Sequence, residues 1–320
     1  MAVPSVAADT PAAAEAPPVL GTSGAREERV AGRRREWPLA LLFLAPSAAV
    51  FAVFVFYPLY RTVQLSMYRS GPFGRLGEFE GLSNLTDVLG SDEFRHSLGV
   101  TFQFAAITVP LGLALGLGLA VLAHERLRGI SVYRTIFAST VATSVAVASI
   151  MWLLLLNPSV GVVNAFLEWL GRDRIDFINE PGWALWTVSI TTVWLNLGFS
   201  FIVISAGLQS VPDDLLESAR MDGAGAWRRF RHVTLPMLSP TLLFVLVVLS
   251  INAFQSFGQI DLLTEGGPND RTRVLVYAIF QEVRRGDPST AAAQAVALFG
   301  ILFLLTIVQL RVLERRVFYG

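Results

Sequence analysis

Two of the side chains most used in covalent catalysis, Cys and Lys, are absent from this 320-residue sequence, and the polar groups within its apolar stretches are of the binding kind. There is no cysteine, which removes disulfides, thiolate metal sites and thiol nucleophiles. All 25 basic residues are Arg. Without Lys there is neither a G-x-x-x-x-G-K-[ST] loop to cradle a nucleotide nor a Schiff base for pyridoxal phosphate. His96, His124 and His232 fall in three separate polar segments and are expected at surfaces or interfaces, not around one metal ion. No catalytic residue, metal site or cofactor is therefore assigned to this chain, and no nucleic-acid partner.

Uncharged amides and hydroxyls are left. Asn252, Gln255, Ser256 and Gln259 crowd one half of an otherwise apolar stretch, and Thr143, Ser144 and Asn196 sit in two others. A half-helix of this kind suits a cavity better than lipid. Its amides and hydroxyls offer paired donors and acceptors to a hydroxylated solute, so these seven residues are the candidate solute pathway. The same groups could instead tie neighbouring helices together at about 0.6 to 2 kcal/mol each. No Asp, Glu, Arg or His occurs within the apolar stretches. A proton-coupled carrier usually keeps such a group as its relay, so this absence counts against a secondary carrier. Asp261, at the end of the fifth stretch, is expected to be a solvated helix-end carboxylate. A membrane acyl- or phosphotransferase would need clustered His, Asp or Lys, whereas the histidines here are scattered.

The most structured polar segment runs from Leu208 to Pro240. Ser210, Pro212 and Asp213 read as a helix start with Ser210 as its cap, and Leu215, Leu216, Glu217 and Ala219 as its body. Asp222 and Gly223 break it at a sharp turn. A second short helix carries Trp227 and Phe230 on one face, with Arg228, Arg229, Arg231 and His232 around them. Pro236 and Pro240 are expected to end it.

These groups must be positioned by elements in lipid. Of the residues, 53% are apolar and 16% charged, and six charge-free stretches are each about long enough to cross a bilayer as a helix: 38–57, 98–123, 135–156, 183–207, 241–260 and 290–310. Lipid leaves backbone amides no outside partner, so helices are required and the fold class is all-α, with six transmembrane helices. Residues 1–36, rich in Ala, Pro and Glu, read as a disordered tail, and 37–320 as the membrane domain. Gly112, Gly116 and Gly118 give the second helix a small-residue face for close packing. Val162 to Leu170 reads as a short interfacial helix, while Gly71-Pro72, Gly81 and Gly266-Gly267-Pro268 mark broken loops. With both termini in the cytoplasm, Arg26, Arg29, Arg33, Arg34, Arg35, Arg126, Arg128, Arg134, Arg220, Arg228, Arg229, Arg231, Arg311, Arg315 and Arg316 lie inside, the majority that the positive-inside rule asks for.

The segment from Glu217 through Gly223 to Val233, Leu235 and Pro236 resembles the E-A-A-x-x-x-G-x9-I-x-L-P signature of permease subunits of binding-protein-dependent ABC importers. It departs from that pattern at Ser218, usually Ala, and Val233, usually Ile, two swaps that keep the geometry. Tyr57-Pro58, Gly81 to Asn84, Asn157-Pro158 with Gly161, and Gly266-Gly267-Pro268 are similar to landmarks of the carbohydrate-type permeases, from about Pro38 to the C-terminus. The Gly207 to Pro212 run, Asp222 to Gly225 and the closing Val312 to Val317 look most like the A-type permeases of sn-glycerol-3-phosphate importers, with maltose- or trehalose-like permeases sharing the outline. The resemblance implies a bacterial or archaeal plasma-membrane protein paired with a second homologous permease, two ATPase copies and an extracytoplasmic solute-binding protein. It also implies that Glu217, Ala219, Asp222, Gly223, Ala224, Trp227, Phe230, Leu235 and Pro236 couple the chain to the ATPase. An anionic solute should meet an Arg or a helix N-terminus, and none of the six stretches contains an Arg.

Overall fold

The computed structural model describes residues 37, 41–71, 76–124 and 129–314. The expectations for the tail 1–36, for Pro38, for the turn at Pro72, and for Arg26, Arg29, Arg33, Arg34, Arg35, Arg126, Arg128, Arg315 and Arg316 lie outside the described residues. So does half of the closing Val312 to Val317 run. The chain divides between Leu59 and Tyr60 into two units. In the first, helix α1 begins at Leu41, with its apolar side chains exposed. It contains a π turn over Ala52–Phe56 and runs on to Leu65, past the expected end at Tyr57.

The larger unit opens with a two-stranded antiparallel hairpin, β1 (Tyr68–Ser70) and β2 (Leu76–Phe79), pairing Tyr68 with Phe79. An all-α fold did not anticipate it. Asn84 at the start of α2 (Leu82–Gly90) donates to the carbonyls of Ser66 (2.8 Å) and Tyr68 (3.3 Å), which holds the hairpin against the helix. Ser91 then caps α3 (Asp92–His124), accepting from the Phe94 amide, and Asp92 and Glu93 complement the positive end of the helix dipole.

Helix α3 packs on α7 (Ala184–Gln209) and α10 (Ser239–Phe254) around a core of Phe104, Ile204, Val188, Val245 and Phe254. Gly116 makes the α3–α7 approach possible: a Cβ there would lie 2.6 Å from the Ser200 Cβ. Gly112 faces the Leu249 side chain, while Gly118 has open space beside it, so two of the three glycines expected to pack closely do so. Helices α12 (Leu275–Arg285) and α13 (Pro288–Leu313) complete the unit. Near the start of α3, Glu93 contacts Arg273 and Arg285, Arg285 also meets Glu282 at 2.7 Å, and the Leu275 amide donates to Thr101 Oγ1 at 2.8 Å. Burial pushes the Glu282 carboxyl up, against the pull of Arg285.

Among the described residues, four helices are long and apolar enough to cross a membrane, or up to six if each of two bent pairs is one span. The expected continuous third and fifth spans are each interrupted, at residues 143–144 and 255–257. The third begins earlier, as α4 (Ile130–Ser139) behind Gly129 at φ 84°, and ends in one 3-10 turn, Thr140–Ala142. Thr143 and Ser144 are extended, and α5 (Val145–Leu155) leaves at 109°. The fifth stops at Phe254, and residues 255–257 separate it from α11 (Gly258–Leu263). Helix α6 (Val162–Trp169) matches the expected short helix between them.

One expectation between α7 and α10 is also corrected. Ser210 ends α7, its hydroxyl donating to the Gly207 carbonyl, and Pro212 precedes α8 (Asp213–Met221) with no side-chain cap. The second short helix does end between Pro236 and Pro240, though one residue beyond Pro236. Helix α9 (Ala226–Met237) runs through Pro236, and α10 departs at a 68° bend beside Leu238. A π turn over Phe230–Thr234, with the Leu235 amide bonded to the Phe230 carbonyl, reroutes the hydrogen bonds just before the proline that lacks an N–H.

Candidate functional site

Both helix breaks open onto one cavity of about 380 Å3. Its lining includes Thr143, Asn196, Asn252, Gln255, Ser256 and Gln259, so six of the seven residues singled out by side-chain type are gathered at one place. The seventh, Ser144, turns to its own helix: its hydroxyl caps α5 by accepting from the Val147 amide. Irregular backbone within a span is tolerated where it lines a cavity, which accounts for 143–144 and 255–257 lying here. Gly258 allows the close approach, since a Cβ there would stand 2.9 Å from Val145 Cγ1.

The polar lining is wired together. Asn252 Nδ2 donates to Asn196 Oδ1 (2.9 Å), Asn196 Nδ2 to the Thr192 carbonyl (2.9 Å), and Gln259 Nε2 to Thr192 Oγ1 (2.9 Å). Thr192 Oγ1 in turn donates to the Val188 carbonyl at 2.8 Å. Asn252 and Gln259 thus both tie helices together and face the cavity, the two roles their residue types allowed. Gln255 is exposed, and its side chain makes no hydrogen bond among the described residues. Residue types alone missed Val145, Leu195, Phe257 and Gly258 in the lining, and Thr192 behind it. The i, i+4 spacing of Thr192 and Asn196 on one helix face was the available signal for Thr192.

A second cavity, of about 680 Å3, lies between the end of α3, α4 and the end of α7. Arg134 lines it beside His124, Ser131, Thr135, Ser205 and Gln209. Because α4 starts five residues before the expected third stretch, Arg134 lies on the same helix as the start of that stretch. Its Nε and Nη2 donate to the Ala123 carbonyl at 2.9 and 2.6 Å, closing the exposed end of α3.

The segment around Gly223 is an ordered turn. Gly223 has φ 75°, its amide donates to the Arg220 carbonyl, and the Ala224 amide reaches back to the Ala219 carbonyl, both at 3.0 Å. Those two bonds form a Schellman closure, which needs a residue tolerant of positive φ at Gly223 and brings Ala219 and Ala224 together. Arg229 Nη1 fastens the turn from the next helix through the Ala224 carbonyl at 2.8 Å. Trp227 and Phe230 lie side by side, ring centroids 5.6 Å apart, and Trp227 is 71% exposed. Met221 and Leu215 add exposed apolar surface, and Glu217 and Asp222 are exposed without an ion pair among the described residues. Leu235 and Pro236 are half-buried at the root of the segment.

Comparison with known proteins places this arrangement. Residues 109–319 match the model of a family described as the binding-protein-dependent transport system inner membrane component. The sn-glycerol-3-phosphate transport system permease protein UgpA of Yersinia enterocolitica is 36% identical over 283 residues, covering 88% of this chain and 96% of the relative. The protein of that name in Salmonella typhimurium is 34% identical over 288 residues, covering 89% and 97%. Among solved structures, a bacterial ABC transporter involved in the import of the acidic polysaccharide alginate superposes with a TM-score of 0.78 at 23% identity, over 90% of this chain and 99% of that one. With two thirds of its length inside the family pattern and relatives spanning nearly all of it, the chain belongs to the inner membrane components of binding-protein-dependent transport systems.

Proposed function

We propose that the chain is one permease subunit of an importer for sn-glycerol 3-phosphate or a related glycerophosphodiester, driven by ATP hydrolysis on a partner chain. The observation that carries the solute is the 34–36% identity, along nearly the whole length, to permeases named for sn-glycerol 3-phosphate. In this reading residues 37–320 cross the membrane six times, both termini are cytoplasmic, α4 and α5 together make one crossing, and α10 makes another without α9. The direction of packing supports that count. Gly116 meets Ser200 while Thr108 and Thr192 line one small pocket, so α3 and α7 run the same way and the chain must return once between them.

A second homologous permease supplies the other half of the passage, and the 380 Å3 cavity belongs to this half. Gln255→Ala and Gln259→Ala are each expected to lower transport; rates unchanged in both would remove the cavity from the passage. The turn at Gly223 is the coupling element. Trp227 and Met221 offer apolar anchors, Glu217 and Asp222 unpaired carboxylates, and the closed turn gives a rigid body that can transmit a displacement from an ATPase dimer. An extracytoplasmic binding protein delivers the solute from the opposite side.

The test is reconstitution of the chain with its sister permease, ATPase pair and binding protein. sn-Glycerol 3-phosphate should stimulate ATP hydrolysis and be taken up, and maltose and trehalose should do neither. Stimulation by a sugar alone would overturn the solute assignment and leave the permease assignment standing.

A further inference from the structure

We propose that Thr192 is a positioning residue for the passage: it fixes which way round the amides of Gln259, Asn196 and Asn252 stand, and so sets the donors and acceptors offered to a hydroxylated solute. The proposal rests on the reading of the 380 Å3 cavity as part of that passage. Thr192 is 3% exposed and is not in the lining, so it acts through its neighbours.

Two main-chain carbonyls settle the orientation of the whole chain of bonds. The Val188 carbonyl can only accept, so the Thr192 hydroxyl proton points there. With that proton committed, Oγ1 can only accept, and the atom of Gln259 at 2.9 Å must be the nitrogen. The Thr192 carbonyl likewise can only accept, which makes its Asn196 partner Nδ2. Asn196 therefore turns its oxygen to Asn252, which must present its own nitrogen. Flipping any one of the three amides would set two donors or two acceptors face to face.

The consequence is chemical. Gln259 and Asn252 each spend one of their two amide N–H groups inside the protein, which turns the NH2 away from the cavity and leaves the carbonyl oxygen uncommitted among the described residues. Such oxygens take hydrogen bonds from hydroxyl groups and give nothing to phosphate oxygens, which are acceptors themselves. Thr192 accordingly favours placing the polyol end of a glycerol phosphate in this cavity. Removing its hydroxyl frees Gln259 to turn its NH2 inward and weakens the choice.

The assembled complex, with sister permease, ATPase and binding protein, would be compared in proteoliposomes on sn-glycerol 3-phosphate and on hydroxypropyl phosphate, which lacks the central hydroxyl. The binding protein is the same in every arm, so its own selectivity cancels. Thr192→Val is expected to lower the ratio of the two uptake rates about five- to tenfold, the worth of one hydrogen bond, and Thr192→Ser to retain it. Gln259→Leu should lose the same factor. An unchanged ratio in Thr192→Val, or an equal fall in Thr192→Ser, overturns the proposal. If Thr192→Val fails to assemble, Gln259→Leu decides, and an unchanged ratio there overturns it. Should the unaltered complex take up a sugar and no glycerol phosphate, the solute assignment has failed, and Thr192 is judged on that sugar and its deoxy analogue.

Discussion

Substitution at Gly223 separates a backbone requirement from a partner's requirement, because the structure supplies the size of the first. The residue holds φ 75°, and a Cβ built on it meets nothing within 4 Å. Inside this chain alanine therefore costs only the left-handed conformation, about 1–2 kcal/mol, with no clash to add. That shifts the local turn equilibrium by roughly 5- to 30-fold, enough to loosen the closure and far too little to unfold the membrane helices. Asn and Asp tolerate the left-handed region better than Ala. A turn acting alone would then rank Asn and Asp above Ala. A turn seated in a cleft of the ATPase ranks by bulk, with Ala partly active and Asn and Asp inactive. The assay is ATPase retention on purification in mild detergent, with solute uptake measured in cells and expression and sister-subunit pairing confirmed. We expect Gly223→Asn and Gly223→Asp to lose retention and uptake, and Gly223→Ala to keep part of both. Near-normal retention in Asn and Asp together with a defect in Ala would refute docking and leave a purely conformational role.

Glu217→Lys should reproduce the loss of ATPase retention with the permease still inserted, and normal uptake in that variant would remove the carboxylate from the interface. Gly116→Ala should destabilise the α3–α7 contact by about 1–3 kcal/mol, seen as a lower thermal midpoint in detergent, because its Cβ lands 2.6 Å from that of Ser200. Gly118→Ala, with open space beside it, should not, and equal effects at the two sites would contradict the packing. The absence of cysteine makes topology directly testable. A cysteine at Gly225 should resist an impermeant thiol reagent applied to intact cells while one at Ser159 reacts, and labelling of Gly225 from outside would overturn the proposed orientation.

Hydropathy located the membrane elements because lipid demands long uncharged helices, and the charge-free runs map onto α1, α3, α7 and α13 with their ends extended by polar turns. It could not show the two breaks. Neither Thr143-Ser144 nor Gln255–Phe257 contains a proline, and apolar residues flank the first of them on both sides. Polarity was the better guide there, since the amide-rich run from Asn252 to Gln259 coincides with the break it helps to line. The i, i+4 spacing with Asn196 marked Thr192 only as a helix neighbour, because a threonine inside a helix usually bonds back to the preceding turn, as this one does, and only the fold shows that its oxygen also receives Gln259. Around Gly223 the spacing of Ala219, Gly223 and Ala224 was legible as a motif, and the Schellman closure gives the physical reason for it.

The π turn over Phe230–Thr234 has a consequence for how insertions and deletions are tolerated. A π turn holds one residue more than a regular helix would, and each residue of an α-helix advances the side chains by about 100°. Deleting a single residue between Phe230 and Thr234 would let α9 wind regularly up to Pro236, preserving every apolar side chain in α10. Because a π turn closes over one residue more than an α turn, five π residues turn about as far as four α residues, and Trp227 and Gly223 would keep their phase relative to α10. Loss of one residue there is therefore expected to be milder than a deletion elsewhere in α9, whereas removal of two would turn the proposed coupling segment by about 100° relative to the helix that lines the cavity.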